Sequence, residues 1–263
     1  MRKKVAIVGG GPSSWFARMA CFHAGIVPTV FVRSEVNPPG AFWIHELPDF
    51  AHHLPMFKIS VRSSGSREIY KRKQWGNIDL PENYRSSFPD LEYETYGADP
   101  STVRSFVDSE LAHERIILEG NLNDEDLSSL KDTYDEVFYT FPSERSKREN
   151  SEFFRFIPIF STQTPVADRH IKEIFYDGRS QSSVVRFSEI WGMQFREYQV
   201  IRYPSQVDKF AKSNCVFIPD IIPTDRKLSP LSPEGTTPIG RLACMNRTML
   251  SHQTYEIVRE KLS

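Results

Sequence analysis

Residues 4–8 form a short apolar run closed by three glycines, the pattern of a strand buried on both faces of a parallel sheet. Over residues 13–24 the positions Trp15, Phe16, Met19, Ala20 and His23 recur at helical spacing, and Gly25 stops the run. Residues 29–32 are apolar again and predict a second strand. A strand, a helix and a strand within roughly 30 residues have the size of a right-handed parallel crossover.

The period then fades. Residues 37–100 are rich in proline, aromatic and turn residues, and they predict loops and short helices over a ligand, with one helix near 67–74. Order returns with a helix over 100–113, for which Ser101 is available as a cap, then a strand over 115–118, a helix over 124–131 and a strand over 136–141 ended by Pro142. Residues 143–151 (SERSKRENS) read as a charged, solvated connection and a boundary. Beyond it, 153–164, 170–176 and 183–189 alternate as strands of an antiparallel sheet, and 219–238, with five prolines, read as a loop. Residues 246–262 close as a helix, and no internal repeat is visible.

These elements predict an α/β protein, with a Rossmann-like domain on a parallel sheet and a smaller, mainly antiparallel substrate sheet. The expected division assigns 1–36, 101–142 and 238–263 to the nucleotide domain, 37–100 to cofactor-covering loops and helices, and 151–237 to the substrate sheet. A chain of 263 residues has the length for two such unequal parts. Lys and Arg total 33 against 34 Asp and Glu, so no global field draws the chain to nucleic acid or membrane. Cys21, Cys215 and Cys244 lack the paired spacing of a disulfide framework or zinc site, and we expect no metal. No stretch approaches the ~18 apolar residues of a membrane span. The run at 5–8 is too short for a signal sequence, so the expectation is a cytoplasmic protein.

Candidate chemistry begins at Gly9-Gly10-Gly11-Pro12-Ser13-Ser14. Gly9 permits a tight turn out of the strand, and Gly11 lets the backbone approach a pyrophosphate at the helix N-terminus. Ser14 stands where a third glycine is usual, and the plain alternative is a glycine turn between strand and helix. Val32 occupies the end of the second strand, where an acid normally takes the ribose hydroxyls. Arg33 and Ser34 can instead face a 2′-phosphate, Glu35 can reach back for the ribose, or the segment is an ordinary strand end.

Three later stretches extend the picture. Pro238-Ile239-Gly240-Arg241-Leu242-Ala243, leading through Asn246 and Met249 into the last helix, resembles the closing flavin motif of the UDP-galactopyranose mutase and flavin amine oxidase superfamily. Residues 134–142, with Thr140, look like that superfamily's strand returning to the nucleotide domain. Residues 183–189 look like the substrate-sheet strand that crosses near the flavin. The resemblance spans most of the chain and implies FAD rather than NADP, held by Gly9, Gly11, Pro12, Ser13, Ser14, the 33–35 segment, Thr140, Gly240, Arg241 and Met249. It also implies that Gly40 and His45 of the loop 38–45 lie against the isoalloxazine, with His45 donating to a flavin carbonyl or N5; a packed aromatic loop is the alternative. The departures are Ser14, Val32 and a chain far shorter than the usual member.

Arg186, charged inside an apolar strand, shares a face with Val184 and Ser188 and is expected either to point to solvent by alternation or to meet an anionic substrate group in a cleft, with Asp177, Arg179, Glu189 and Arg196 near the same cleft. His52-His53 reads as surface. Lys58, Arg62, Arg67, Lys71, Arg72 and Lys73 interleave with Tyr70 and Trp75, a pattern of a solvated helix face or of a nucleic-acid patch. The leading functional expectation is an FAD-dependent oxidoreductase acting on an amine C–N bond of an anionic or nucleotide-like substrate. Three others stand beside it: a UDP-sugar mutase-like flavoenzyme in which Arg186 and one of Arg155, Arg179 or Arg202 hold a diphosphate, a flavin-dependent modifier of amino-acid-decorated thymine in viral DNA, and a non-catalytic nucleotide-binding module.

Overall fold

The structure, a computed structural model, describes residues 3–33, 42–76, 87–120, 122–152, 154–157, 159–166, 170–199, 218–221, 228, 230–246 and 249–263; for 154–157, 159–163, 199 and 218–221 it describes the backbone. The first strand β1 (Val5–Val8), helix α1 (Pro12–His23) and strand β2 (Thr29–Val32) form the expected crossover, with β1 and β2 parallel. β5 (Glu114–Ile117), β6 (Glu136–Tyr139) and β13 (Thr236–Pro238) complete a parallel sheet in the order β13-β6-β1-β2-β5. α1 is buried continuously from Ser14 to Cys21, packed against the sheet, α3 (Pro100–Glu110) and the last helix α7 (Gln253–Leu262). That all-round burial explains why its apolar positions are too dense for a one-sided helix.

A second sheet runs in the order β4-β3-β9-β10-β11-β8. Its strands are β3 (Met56–Gly65), β4 (Tyr93–Ala98), β8 (Ile159–Pro165), β9 (Glu173–Gly178), β10 (Val184–Ile190) and β11 (Met193–Gln199). Apart from the parallel β3–β9 pair its strands are antiparallel. α2 (Arg67–Trp75), capped by Ser66, lies against β9 and β10 and buries Tyr70, Lys73 and Trp75. β7 (Phe154–Ile157) and β12 (Ile218–Ile221) make a separate antiparallel pair.

Several expectations need correction. Residues 37–100 hold two long strands, because Phe57, Ile59 and Val61 alternate with Lys58, Ser60 and Arg62, a period-two signal that the charge run conceals. The connection 143–151 contains a helix, α5 (Glu144–Glu149), capped by Ser143, whose side chain accepts from the Ser146 N–H at 3.0 Å. α3 is capped by Asp99 rather than Ser101, and it is Ser101 that donates its N–H. The proline-rich 219–238 contributes to β12 and β13, and the closing helix starts only at Gln253. α4 (Asp124–Ser129) lies where expected, held by a capping box between Asn123 and Asp126. No described helix is long and apolar enough to cross a membrane.

α2 is fastened to the second sheet by a buried charge. The Lys73 ammonium, 3% exposed with the rest of its residue, donates to the carbonyls of Asp177 at 2.9 Å and Val184 at 3.0 Å and lies 3.4 Å from the Asp177 carboxylate. Burial pushes the Asp177 carboxyl up, but hydrogen bonds from Arg179 and Ser182 and the Lys73 charge outweigh it and bring it down to about 2. A depressed carboxyl contributes stability that is present above its unfolded value and lost as pH falls through the folded one. Asp177→Asn is therefore expected to lower stability at pH 7 by about 2 kcal/mol and to flatten the acid limb of the stability profile between about pH 4 and pH 2. Urea unfolding at stepped pH measures this; parallel profiles for variant and wild type would refute it.

Candidate functional site

The C-terminal ends of β1, β6 and β13 come level, with Val8 opposite Tyr139 and Tyr139 opposite Pro238. The residues that follow these strands therefore meet. Gly9 has φ 131°, and a Cβ there would overlap the Thr140 side chain, so the turn and the approach of Thr140 both require glycine. Thr140 is held by its own backbone and hydroxyl, which donate to the Val8 carbonyl at 3.0 and 3.3 Å. Gly240, φ 82°, opens the short helix α6 (Gly240–Ala243) so close to α1 that a Cβ would overlap Ser13. Gly9, Ser13, Thr140 and Gly240, read separately along the sequence, are thus one cluster.

Gly11 is the N-cap of α1, with φ −84° and no side chain capping it, and Pro12 begins the helix. A Cβ on Gly11 would meet nothing within 4 Å. Open space therefore lies over the positive end of the helix, as a pyrophosphate requires. Ser14 is buried in the first turn and lines, with Gly10, a shallow open cleft shared with Val32 and residues of α3. Arg33 is exposed at the end of β2; Ser34, Glu35 and Gly40 lie outside the described residues. Arg241 is exposed on α6, and Met249 is buried ahead of α7.

His45 sits on a segment tied to β4 by a two-way backbone bridge between Ile44 and Ala98. The Trp43 indole N–H donates to His45 Nδ1 at 3.1 Å, with ring centroids 4.9 Å apart. Nδ1 is therefore the acceptor, and the neutral ring carries its proton on Nε2. Desolvation, and then the nearby His252, lower the His45 pKa below its ordinary value, so the ring is neutral at pH 7. His252 precedes α7 and lies 3.4 Å from Glu46, which places the His45 segment beside the start of the last helix.

Arg186 is differently placed from the sequence expectation. A bulge between Val184 and Arg186 shifts the register, so that Val185, Ser188 and Ile190 are all buried although strict alternation separates them. Arg186 faces Glu197 across β10 and β11, with Nε donating to Oε2 at 3.0 Å and Nη2 to Oε1. A substrate anion would have to displace that carboxylate. Arg179 likewise chelates Asp177, at 2.7 Å through Nη2, and Arg196 lies over the Phe187 ring while Glu189 accepts from Gln194. The pair of arginines imagined for a sugar diphosphate is thus committed to carboxylates where it is described; the Arg155 side chain and Arg202 lie outside the description.

The basic run is corrected in the same way. Lys73 is buried, Lys58 pairs with Glu94 at 2.6 Å, Arg62 reaches Glu92 and Glu173 at 3.8 and 3.4 Å, and Arg67 pairs with Asp90. On α2, Arg72 is exposed and Lys71 half-buried. Acids from β4 and β9 and the turn before β4, distant in sequence, cancel most of the cationic stretch. Burial pushes the Cys21 thiol up to about 12 and that of Cys244 to about 11, so neither is a thiolate nucleophile at neutral pH. Sequence reasoning missed Arg18 and Asp108, which line the cleft; the available signal was an arginine inside the apolar helix α1.

Over its whole length the chain superposes on the tryptophan 5-halogenase MibH, covering 67% of that chain with a TM-score of 0.55 and 9% identity. The fold is shared with a halogenase. The flavin-dependent brominase Bmp2 is similarly related, with all of this chain and 80% of the other covered, a TM-score of 0.53 and 9% identity. So is a geranylgeranyl bacteriochlorophyll reductase-like protein of Thermoplasma acidophilum, with 99% and 77% covered, a TM-score of 0.50 and 10% identity. No family model matches the sequence, and no curated protein matches it in sequence. The likeness extends over both sheets, and the α/β architecture with a parallel sheet and a mainly antiparallel one is that of these enzymes.

Proposed function

We infer that the chain is an FAD-dependent oxidoreductase, and that it acts on the C–N bond of an amine. The observation that carries FAD binding is the open space over Gly11, at the uncapped start of α1, in a fold shared with a flavin-dependent brominase. In this reading residues 1–36, 101–142 and 238–263 hold the dinucleotide, and 151–237 together with β3 and β4 form the substrate side. The N-terminal amides of α1 meet the diphosphate, Gly9 and Gly240 let Thr140 and Ser13 close around it, and Arg241 and Met249 line the approach to α7. His45, neutral and with Nε2–H outward, donates to the flavin's carbonyl edge. FAD when bound supplies the two-electron acceptor; the protein supplies orientation and excludes water.

A sugar diphosphate is disfavoured because Arg186 and Arg179, the described arginines considered for it, are taken by Glu197 and Asp177. Small molecules fit this better than nucleic acid, since Lys58, Arg62, Arg67 and Lys73 already face acids or backbone carbonyls. Halogenation is the second reading, supported by the fold likeness to MibH and Bmp2. Purified protein incubated with FAD and desalted should be yellow, and anaerobic addition of a panel of amines should bleach it. A colourless protein after desalting would sink the flavin reading. Flavin that resists every amine but supports halide incorporation under aerobic reducing conditions would transfer the assignment to halogenation.

A further inference from the structure

We propose that Asp108, presented from α3 rather than from the end of β2, is the carboxylate that binds the ribose hydroxyls of the dinucleotide's adenosine, with Arg18 as its positioning residue. The assignment rests on the dinucleotide reading above. Val32 has no polar group to offer at the usual place, yet the cleft that begins at Gly10 and Ser14 passes Val32 and is closed on its far side by Arg18, Asp108 and Arg115. A carboxylate therefore faces the space beside the glycine turn, delivered by another element.

The hydrogen-bond inventory leaves room for a ligand. Asp108 Oδ1 accepts from Arg18 Nη1 at 2.6 Å, and Oδ2 lies 3.4 Å from Arg104 Nε. A carboxylate has about four acceptor positions, so two remain, and the side chain is 37% exposed. Two acceptors match the two hydroxyls of a ribose. Arg18, only 5% exposed, uses Nη2 for the Val107 carbonyl at 2.8 Å, and its Nε is buried without a partner.

The surrounding charge answers a further difficulty. A lone carboxylate beside a diphosphate would be repelled, whereas here Arg18, Arg104 and Arg115 line the same cleft with a single acid among the described residues. Burial pushes the Asp108 carboxyl up, and the hydrogen bonds and charges of Arg18 and Arg104 outweigh it, so the group is ionised at neutral pH. The cleft as a whole stays cationic while presenting one acceptor pair.

The test edits both sides of the contact. Calorimetric titration of the full chain with ADP, 2′-deoxy-ADP and 3′-deoxy-ADP is compared for wild type, Asp108→Asn and Glu35→Gln, with thermal unfolding checking that each variant folds. Wild type is expected to lose about tenfold in affinity for each missing hydroxyl, the magnitude of a hydrogen bond to a charged group. Asp108→Asn should bind ADP about tenfold more weakly and no longer distinguish it from the deoxy ligands. Persisting discrimination in Asp108→Asn would overturn the assignment, as would loss of discrimination in Glu35→Gln alone. Should Asp108→Asn fail to fold, the wild-type ligand series and Glu35→Gln still decide: equal affinity for ADP and the deoxy ligands in wild type refutes a ribose contact. Wild type that binds neither ADP nor FAD refutes the dinucleotide reading itself; FAD binding without ribose discrimination refutes the role of Asp108 alone.

Discussion

A valine at Gly11 is expected to abolish FAD retention while costing the fold about 1 kcal/mol or less. The two effects separate because of where the glycine stands. At φ −84° its backbone is open to any residue, and its missing Cβ faces empty space, so the added methyls strike no protein atom. They fill the volume in which a diphosphate must approach the α1 amides. Gly9 is the contrasting position: its φ of 131° disfavours a side chain, and the new Cβ would overlap Thr140. Gly9→Ala should cost about 3 kcal/mol or more and lose flavin only through unfolding. Flavin absorbance after desalting, read beside urea unfolding, distinguishes the two variants. A stable Gly11→Val protein that keeps its yellow colour would remove the dinucleotide site from this end of the sheet.

Arg186→Ala should destabilise the protein by about 3–5 kcal/mol, the cost of leaving a buried charge without its partner. Glu197 is 6% exposed at its side chain, and the guanidinium opposite is its bidentate partner across β10 and β11. Burial lowers the Arg186 pKa, and the attraction of Glu197, with Tyr176 and Tyr70 nearby, more than reverses this and raises it. Replacing both partners, as Arg186→Met with Glu197→Leu, should restore most of the loss, since the desolvation cost of both charges disappears with them. A double-mutant cycle in urea measures the coupling. Were Arg186→Ala to unfold within about 1 kcal/mol of wild type but raise the Michaelis constant, the arginine would belong to the substrate after all.

Local pattern was enough for the crossover at the N-terminus. Each of β1, α1 and β2 is bounded by glycine or proline and carries its own period, so its type follows from residues a few positions apart. The glycine turn leading into the helix was legible for the same reason. β3 shows the limit of that logic: its alternation is present, but six basic residues in 58–73 suggested a solvated surface, and the acids that neutralise several of them stand on β4, β9 and the preceding turn. Charge partners across a sheet leave no trace in a linear window.

Sequence alone determined the strand–helix–strand crossover, the existence of a second, mainly antiparallel sheet and the candidacy of Gly9, Gly11, Thr140 and Gly240, because hydrophobic period and glycine conformational need are properties of short segments. Tertiary structure decided that Gly9, Ser13, Thr140 and Gly240 are neighbours, since the ends of β1, β6 and β13 come level and α6 starts against Ser13. It also set Arg186 against Glu197 across β10 and β11, a pairing that alternation along one strand does not show. And it put a carboxylate from α3 beside Val32, where the chain's own second strand supplies none, because helix packing brings side chains together that are about 76 positions apart in sequence.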